Sequence, residues 1–392
     1  MSAQNILLSE FSWDDRYRLD ATDEVLTPAL LLYPDSIVAN IDRTVALLDG
    51  EPGRWRVHIK TAKLAYTFRL CIDRGLRYFK CATTFELLVA CRESAHDVLL
   101  AYPVMGANAQ RTREIAAQFP RTKISVLVES EAQLSAWSGS AIGVFIDLNS
   151  GMNRTGMQPG RAEDVLHLAR TVRDAGLEFR GLHFYDGHLG GVAEPERTAV
   201  AHAGYDALLK VVAQLENHGI RVPEVITSGT PAFPCSLSYA AFRGQQFVHR
   251  ASPGTVVYND ATSLAQLPEL GYRPAAMVLA RVVSNPRPGI VTCDAGHKSV
   301  SADAGVPTCV VVGHSELTPL APSEEHLPLA VHDGAAAPRI GDVLFLLPRH
   351  VCPTVNNFDH ALLVRDGKIL AQEGVSARGH EAPLLAAAAG KF

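Results

Sequence analysis

Residues 55–60, Trp-Arg-Val-His-Ile-Lys, contain a lysine whose setting suits covalent chemistry. Apolar residues at positions 55, 57 and 59 alternate with polar ones, which predicts a short strand with His58 and Lys60 on the face opposite the apolar side chains. A lysine on the inner face of a buried strand is desolvated, so its pKa falls and the free amine needed to attack an aldehyde is available. Lys60 is therefore a candidate for imine formation, although on position alone a solvent-exposed lysine is the commoner case.

Two glycine-containing turns could bind a phosphate. Residues 227–231 read Thr-Ser-Gly-Thr-Pro and residues 252–255 read Ser-Pro-Gly-Thr. Hydroxyls, permissive glycines and backbone N–H groups of this kind bind anions, while each turn alone is more often an ordinary structural turn. The residues that would contribute are Ser228, Gly229, Thr230, Gly254 and Thr255. Together with an imine-forming lysine, the two turns suggest a phosphorylated aldehyde cofactor, pyridoxal 5'-phosphate.

His350 and Cys352 form a candidate metal site. In extended geometry, residues two apart lie on one face of the strand. Imidazole and thiolate together suit zinc or a similar divalent ion. Two protein ligands are too few for a structural site, but water and substrate can complete the shell of an open catalytic site. A buried cysteine is more often inert packing, so the pair alone is weak support for a metal.

The segment from about residue 29 to 265 is predicted to position the lysine and the turns. Short Val/Ile/Leu/Phe-rich runs alternate there with amphipathic segments, a pattern typical of an α/β barrel of the TIM type, (β/α)8. The predicted strands are 55–60, 78–83, 98–103, 123–129, 142–149, 181–187, 223–229 and 249–257. Catalytic groups of such barrels come from the C-terminal strand ends, and phosphates are often held after strands seven and eight. Lys60 and both turns fall at these places.

The pattern changes after about residue 270, where strand-like runs are separated by Gly and Pro with little helical periodicity. This predicts a second, mostly β domain that carries His350 and Cys352. The predicted division is a cofactor-binding barrel over 26–265 and a β-rich domain over 266–392, which residues 1–25 are expected to join.

Composition limits the classes of function. The 392 residues carry a net charge of −5 with 47% hydrophobic and 20% charged residues, which suits a globular protein without a nucleic-acid partner. No apolar run reaches membrane-spanning length, and the first residues lack a signal-peptide pattern. The seven cysteines are scattered and odd in number, which argues against a disulfide framework. We therefore expect a cytoplasmic location.

Taken together, these segments resemble the fold-type III pyridoxal-phosphate enzymes, specifically the D-threonine aldolase/D-serine dehydratase branch. Residues 56–63 resemble the family's Arg-Pro-His-x-Lys-Thr-x-Lys stretch, which implies that Lys60 is the Schiff-base residue. Residues 151–156 resemble its Gly-Met-x-Arg-x-Gly segment, which implies that Arg154 lies beside the cofactor. Two positions depart from the pattern: Val57 replaces proline, and Ala62 replaces a residue that is often histidine in dehydratases.

Residues 181–188, Gly-Leu-His-Phe-Tyr-Asp-Gly-His, bear on the reaction. The resemblance implies that a residue of this strand end approaches the pyridine nitrogen, and His183 is the candidate, with Tyr185 on the same face. His188 is a candidate base for a substrate hydroxyl, and a loop histidine without a catalytic role is nearly as well supported. Ser252 corresponds to the pyridine-facing arginine of the racemases, so the nitrogen is expected to be partnered differently here.

The resemblance implies a cofactor- and metal-dependent lyase that splits the Cα–Cβ bond of a D-3-hydroxy amino acid into glycine and an aldehyde. The alternative is a dehydratase acting on D-serine or D-3-hydroxyaspartate, which gives a keto acid and ammonia. An amino-acid racemase or a non-catalytic cofactor-binding protein fits less well. His350 and Cys352 would bind zinc, manganese or magnesium. The family also implies a homodimer in which the second domain of one subunit completes the active site of its partner.

Overall fold

Eight short parallel strands form one of two sheets in the computed structural model, which describes residue 8 and residues 10–385. The first strands in chain order are β1 Ala29–Leu32, β2 Arg56–His58, β3 Tyr78–Cys81, β4 Asp97–Leu100, β5 Lys123–Val128, β6 Gly143–Leu148, β7 Phe179–Phe184, β8 Glu224–Thr227 and β9 Val248–Ala251. From β2 to β9, each strand pairs in parallel with the next. A bridge between Trp55 and Ala251 nearly closes the sheet, which confirms the predicted barrel.

Helices surround the barrel because the outward faces of its strands are apolar. Val57, Phe79 and Val98 point outward into the main hydrophobic core, where Phe79 packs on Phe68 at a ring distance of 5.1 Å. The helices are α1 Pro34–Leu47, α2 Ala65–Asp73, α3 Thr84–Arg92, α4 Gly106–Gln118, α5 Ala162–Asp174, α6 Glu196–Asn217, α7 Phe233–Ser238, α8 Ala261–Gln266 and α9 Val351–Asn356. In the described part of the chain, no helix combines the length and apolarity needed to cross a membrane.

The inside of the barrel is filled at its amino end by a buried network of charges. Arg56 lies between Glu224 and Asp97, with N–O distances of 2.8 Å to each. Arg180 pairs with Asp97 at 2.6 Å, and Arg250 pairs with Glu224 at 2.5 Å. Arg56, Asp97 and Glu224 each begin their strand, so the network lies at the amino end. Since this end is filled, only the carboxyl end of the barrel is left for a site.

The second sheet is mostly antiparallel, and it includes a strand that precedes the barrel. Its later strands are β10 Ala276–Arg287, β11 Ile290–Cys293, β12 Cys309–Val311, β13 Leu317–Pro319, β14 Leu327–Val331, β15 Val343–Pro348, β16 His360–Arg365 and β17 Lys368–Gly374. The strand β1 lies between β10 and β16, antiparallel to the first and parallel to the second. A mostly β second domain is thus confirmed, while the residue boundaries of the two domains stay a prediction.

Residues at the start of the described chain pack on this second sheet. The Gly313 amide donates to the Phe11 carbonyl, and the Asp20 amide donates to the Gly367 carbonyl, each at 2.8 Å. The Tyr17 side chain is buried and donates to the Pro274 carbonyl at 3.1 Å.

The extended geometry predicted for residues 350–352 is wrong. His350 has extended backbone angles, but Cys352 lies in α9, which begins at Val351. The Asp260 carboxylate accepts a hydrogen bond from the Val351 amide at 3.1 Å, which satisfies one of the free N–H groups at the helix start. Pro353 suits the first helical turn, where its missing N–H costs nothing.

We expect the substitution Arg56→Met to lower the free energy of unfolding by about 3–5 kcal/mol, because it leaves Asp97 and Glu224 buried with one cation fewer. Urea denaturation monitored by circular dichroism measures the change. Arg365→Met is the matched control, since Arg365 pairs with Asp35 at 2.7 Å on the surface and should cost less than about 1 kcal/mol. Equal losses for the two variants would contradict a structural role for the buried network.

Candidate active site

A cavity of about 510 Å³ opens at the carboxyl end of the barrel strands, beside the second sheet. It brings together nine residues that the sequence predicts for the site: Lys60, Arg154, Tyr185, Gly229, Thr230, Gly254, Thr255, His350 and Cys352. Three further predicted residues, Ser228, His183 and His188, are not part of its lining. Nine of the twelve predicted site residues thus line one cavity at the carboxyl end of the barrel.

Lys60 follows β2 in a tight turn and is half-buried at the cavity wall. The prediction that the pKa of Lys60 is lowered is wrong, because other groups outweigh the effect of burial. Burial is the largest single effect and acts downward, but the Tyr185 hydroxyl, the Cys352 thiolate and the Glu86 carboxylate favour the charged amine and raise the pKa of Lys60. Its amine lies 6.0 Å from the centre of the Tyr185 ring. In the protein without cofactor, this lysine is a cation.

Arg154 is carried to the cavity by a loop that Asn149 organises. The Asn149 side-chain oxygen accepts hydrogen bonds from the amides of Gly151 and Asn153 at 2.9 and 3.0 Å. Asn153 has a φ of +56°, a left-handed conformation that asparagine tolerates. The Arg154 guanidinium carbon then lies 5.0 Å from the centre of the Tyr185 ring. Arg154 and Lys60 thus share one aromatic neighbour.

The turn after β8 carries two buried hydroxyls without a hydrogen-bond partner in the described part of the chain. The side-chain oxygens of Ser228 and Thr230 are buried, and neither has a hydrogen-bond partner among the described residues. Asp186 fixes the turn by accepting from the Gly229 amide at 3.2 Å and from the Tyr205 hydroxyl at 2.6 Å. Unpaired buried hydroxyls cost free energy unless a ligand binds them. The turn therefore fits a phosphate.

The turn after β9 fits the same ligand. The strand predicted over 249–257 ends at Ala251, because Pro253 cannot continue the ladder. A Cβ atom on Gly254 would collide with the His58 carbonyl oxygen, so only glycine lets this turn pass close to the barrel end. The Ser252 hydroxyl donates to the Arg56 carbonyl at 2.7 Å. This bond connects the end of β9 to β2 and so helps to close the barrel.

His183 lies deeper than predicted, below the cavity. Its Nδ1 atom lies 2.7 Å from the Asp147 carboxylate, and its Nε2 atom lies 3.4 Å from the Lys80 amine. Burial and the charge of Lys80 lower the pKa of His183 despite Asp147, so the ring is neutral. Both ring nitrogens have partners, and the assignment of His183 to a cofactor nitrogen stays a prediction.

The sequence patterns did not identify Lys80 and Asp147 as candidate site residues. Lys80 stands between outward-facing Phe79 and buried Cys81, and the alternation that selected Lys60 also sends Lys80 into the barrel. Only residues at or beyond the predicted strand ends were considered. Since the strand stops at Cys81, Lys80 lies nearer to that end than the predicted span 78–83 indicates.

His188 lies in the loop after β7, with its ring against Gly151. A Cβ atom at Gly151 would come within 3.4 Å of the His188 Nε2 atom, so the glycine makes room for the ring. Its Nδ1 atom is buried without a partner among the described residues. Burial lowers the pKa of His188. A neutral imidazole suits a general base, but the ring does not line the cavity.

His350 and Cys352 stand in the cavity wall of the same chain that carries Lys60. The Cys352 sulfur lies 2.9 Å from the Thr61 hydroxyl, directly after Lys60. These two residues therefore lie beside the lysine turn of their own chain, and completion of the site by a partner subunit stays a prediction. One chain assembles the lysine and the metal motif by itself.

The chemistry of this pair suits a divalent ion. Burial acts to raise the pKa of Cys352, but the neighbouring His350, Lys60 and Thr61 outweigh it and lower the pKa, which favours the thiolate. The His350 Nδ1 atom lies 2.7 Å from the Asp303 carboxylate, which leaves Nε2 as the ligand atom. Within the described residues, no three His, Cys, Asp or Glu side chains form a complete metal cage. The donors fit an open site with two protein ligands.

Comparison with known proteins gives matches over most of the chain. A family model described as the alanine racemase N-terminal domain matches residues 33–261, and one described as a putative serine dehydratase domain matches residues 275–364. A D-threonine aldolase of Arthrobacter sp is 30% identical over 369 residues, which cover 92% of this chain and 94% of that protein. A D-threo-3-hydroxyaspartate dehydratase of Delftia sp is 24% identical over 371 residues, which cover 88% of this chain and 95% of that protein. The crystal structure of D-threonine aldolase from Filomicrobium marinum superimposes with a TM-score of 0.84 at 28% identity, covering 92% of this chain and 97% of that one.

We expect Lys80→Met to stabilise the protein without cofactor by on the order of 1–4 kcal/mol at neutral pH, because it removes a buried charge without a counter-ion. Burial, the largest effect, and the charge of Lys60 lower the pKa of Lys80 from 10.5 to about 7. The unfolded chain therefore binds this proton more tightly than the folded protein does. The gain is largest below about pH 7 and shrinks as the pH rises toward the unfolded value of 10.5.

Urea denaturation at about pH 6.5 and about pH 9.5 tests this dependence. Lys123→Met is the control, since Lys123 is exposed and pairs with Glu178 at 2.7 Å at the opposite end of the barrel. A variant that loses stability at both pH values would show that Lys80 is paired or solvated after all.

Proposed function

This chain belongs to the family of the alanine racemase N-terminal domain, and we propose that it is a pyridoxal-phosphate- and metal-dependent lyase. The proposed reaction cleaves the Cα–Cβ bond of a D-3-hydroxy amino acid into glycine and an aldehyde. The observation that carries it is the single cavity in which Lys60 lies beside His350 and Cys352. The similarity to D-threonine aldolases over nearly the whole chain supports the same reaction.

Different residues of the cavity would bind different parts of the cofactor. Lys60 would bind the aldehyde carbon through its amine, while the free hydroxyls of Ser228 and Thr230 would donate to the phosphate. Backbone N–H groups at Gly254 and Thr255 would complete the phosphate site, while the Gly229 amide keeps the turn in place by donating to Asp186. Arg154 and Tyr185 would lie beside the ring, with His183 below it. When bound, the cofactor supplies an electron sink for the bonds at Cα.

His350 and Cys352 would hold the metal ion. Thiolate favours zinc, with manganese and magnesium as the alternatives. Asp303 would fix the ring of His350 so that Nε2 faces the cavity, as carboxylates commonly do for metal-bound histidines. The ion would supply Lewis acidity at a substrate hydroxyl.

A base is needed for the proton of the β-hydroxyl in the aldolase reaction. We keep His188 in this role because its neutral ring has a free Nδ1 atom. His58 is the rival, since it lines the cavity and burial, together with the charges of Lys60 and Lys80, keeps its pKa well below the ordinary value. Either histidine would accept the proton at a ring nitrogen.

The dehydratase is the second candidate. The match of residues 275–364 to a putative serine dehydratase domain favours it, as does the similarity to a hydroxyaspartate dehydratase. In that reaction Lys60 would remove the Cα proton, and the β-hydroxyl would leave as water. A racemase ranks third, because position 252 is a serine whose hydroxyl is already bonded to the Arg56 carbonyl.

We further propose that the chain acts as a homodimer in the cytoplasm. The seven cysteines are buried free thiols, which suits a reducing compartment. Sedimentation of the purified protein tests the dimer.

Product analysis tests the proposed reaction. The protein, loaded with pyridoxal phosphate and zinc, is given D-threonine, D-phenylserine, D-serine and D-3-hydroxyaspartate. We expect glycine and an aldehyde, because the cavity offers both a Schiff-base lysine and a metal site for the hydroxyl. Ammonia and a keto acid would instead establish the dehydratase.

Lys60→Ala is the matched inactive variant, and it should lose both the visible cofactor absorbance and turnover. Lys123→Ala removes a surface lysine at the other end of the barrel and should change neither. If Lys60→Ala keeps the absorbance band, another residue binds the cofactor and the proposal fails.

Removal of the metal tests the second half of the site. We expect His350→Ala to lower zinc affinity by at least about tenfold while the cofactor absorbance stays, because His350 is one of only two proposed protein ligands. Competition with a chelator measures the affinity, and His360→Ala, an exposed histidine at the start of β16, is the control. Unchanged turnover after both chelation and the His350 substitution would remove the metal from the chemistry.

A further inference from the structure

Lys80 is a buried lysine that the proposed chemistry leaves unused. Its side chain is 1% exposed, and its amine lies 3.4 Å from His183 Nε2 and 5.2 Å from the centre of the Tyr185 ring. Within residues 10–385, no carboxylate comes within ion-pair distance of this amine. The buried arginines below it, by contrast, are all paired. Buried cations without a counter-ion are costly, and strongly perturbed groups concentrate at functional sites.

His183 and Asp147 extend the contact into a chain of three groups. The Asp147 carboxylate lies 2.7 Å from His183 Nδ1 and accepts a second hydrogen bond from the Thr155 hydroxyl at 2.7 Å. Because a carboxylate only accepts, Nδ1 carries the hydrogen, and the neutral ring presents its lone pair at Nε2 to Lys80. The direction of the chain is therefore fixed, with Lys80 donating to His183 and His183 donating to Asp147.

This arrangement lets one proton occupy either end of the 3.4 Å contact between Lys80 and His183. When it moves, an N–H bond at Lys80 Nζ breaks and one at His183 Nε2 forms. The products are a neutral amine and an imidazolium that is paired with Asp147. No other group changes its protonation.

The chain lies beneath the cavity that contains Lys60. The Lys60 and Lys80 amines both lie near the Tyr185 ring, at 6.0 and 5.2 Å from its centre. The titratable and charged groups that face Lys80 come from β2, β6, β7 and the loops after β2 and β7: His58, Arg56, Lys60, Asp147, His183, Tyr185 and Asp186. The charges of Lys80 and Lys60 therefore act on each other.

We propose that Lys80 is a positioning residue which, with His183 and Asp147, holds one exchangeable proton beneath the cofactor and so determines how readily the bound cofactor itself takes up a proton. The proposal rests on the proposed function, because it requires pyridoxal phosphate at Lys60. It concerns a lysine on a different strand, which does not bind the cofactor covalently.

The test is a pH titration of the visible absorbance of the protein loaded with pyridoxal phosphate and zinc. A cation beneath the site opposes protonation of the bound cofactor, so Lys80→Met should raise the midpoint by about one pH unit or more. Lys80→Arg keeps a cation and should leave the midpoint at or below that of the wild type. Lys123→Met, the same substitution on the surface, should leave it unchanged.

A double-variant cycle with His183→Gln tests whether Lys80 acts through His183. We expect His183→Gln to shift the midpoint as well, and the combination with Lys80→Met to shift it less than the two single shifts added together. Additive shifts, or no shift for His183→Gln, would overturn the three-group chain.

The outcomes separate this inference from the proposed function. If the wild type shows no cofactor absorbance, both fall. If it does, and the correctly folded Lys80→Met titrates with the wild-type midpoint, the inference is overturned while the lyase assignment stands. Should Lys80→Met fail to fold, the midpoint of His183→Gln decides, and a wild-type value overturns the inference.

Discussion

Five buried charges fill the inside of the barrel at its amino end, and they leave only the carboxyl end for a site. Glu224 accepts from Arg56 and Arg250, and Asp97 accepts from Arg56 and Arg180. Three of these four pairs join strands that are not neighbours in the sheet, and the opposite charges hold the pKa of Asp97 below its ordinary value despite its burial. At this end every buried arginine is paired with a carboxylate. Further along the barrel axis lies a layer formed by His58, Lys80 and His183, in which the positive charge has fewer carboxylate partners. The cavity opens at the end of the barrel where the buried positive charges are no longer all paired with carboxylates.

The position of the second sheet follows from hydrogen bonds made by the segment after β9. Asp260 accepts from the Val351 amide, and the Thr262 hydroxyl donates to the Arg349 carbonyl at 2.8 Å. These two bonds fix the backbone on both sides of His350, while the contact of Thr61 with Cys352 fixes the side chain beside the lysine turn. The metal motif is therefore held by the barrel that carries the cofactor lysine. This is why one chain suffices to bring the two together.

Local patterns predicted the barrel and the strand ends, because alternation and turn residues are read within a few positions. They placed Lys60 and both glycine-containing turns at one end of the barrel, while Arg154 came from the family resemblance. What failed depends on residues distant in sequence. The raised pKa of Lys60 comes from Tyr185 and Cys352, and the start of α9 depends on a hydrogen bond from Asp260.

Two further features depend on residues distant in sequence. The strand β1 lies within the range 26–265 predicted for the barrel domain, yet it pairs with β10 and β16, and pairing across more than 200 residues leaves no local trace. The depth of His183 below the cavity follows from its partners Asp147 and Lys80 on other strands. Strand-end position predicts which face a residue occupies but not which neighbour binds it there.

The charges around the site favour the aldolase over the dehydratase. A dehydratase needs Lys60 as the base at Cα, yet the groups around this amine favour its charged form. In the protein without metal, Tyr185 and the Cys352 thiolate outweigh burial and Arg154, which both act to lower the pKa of Lys60. The aldolase needs a base at the β-hydroxyl instead, and burial leaves His58 and His188 as neutral rings near the metal motif and the Arg154 loop. Neighbouring groups thus keep Lys60 charged despite its burial, while burial keeps the two histidines neutral, and this division of charge fits removal of the hydroxyl proton.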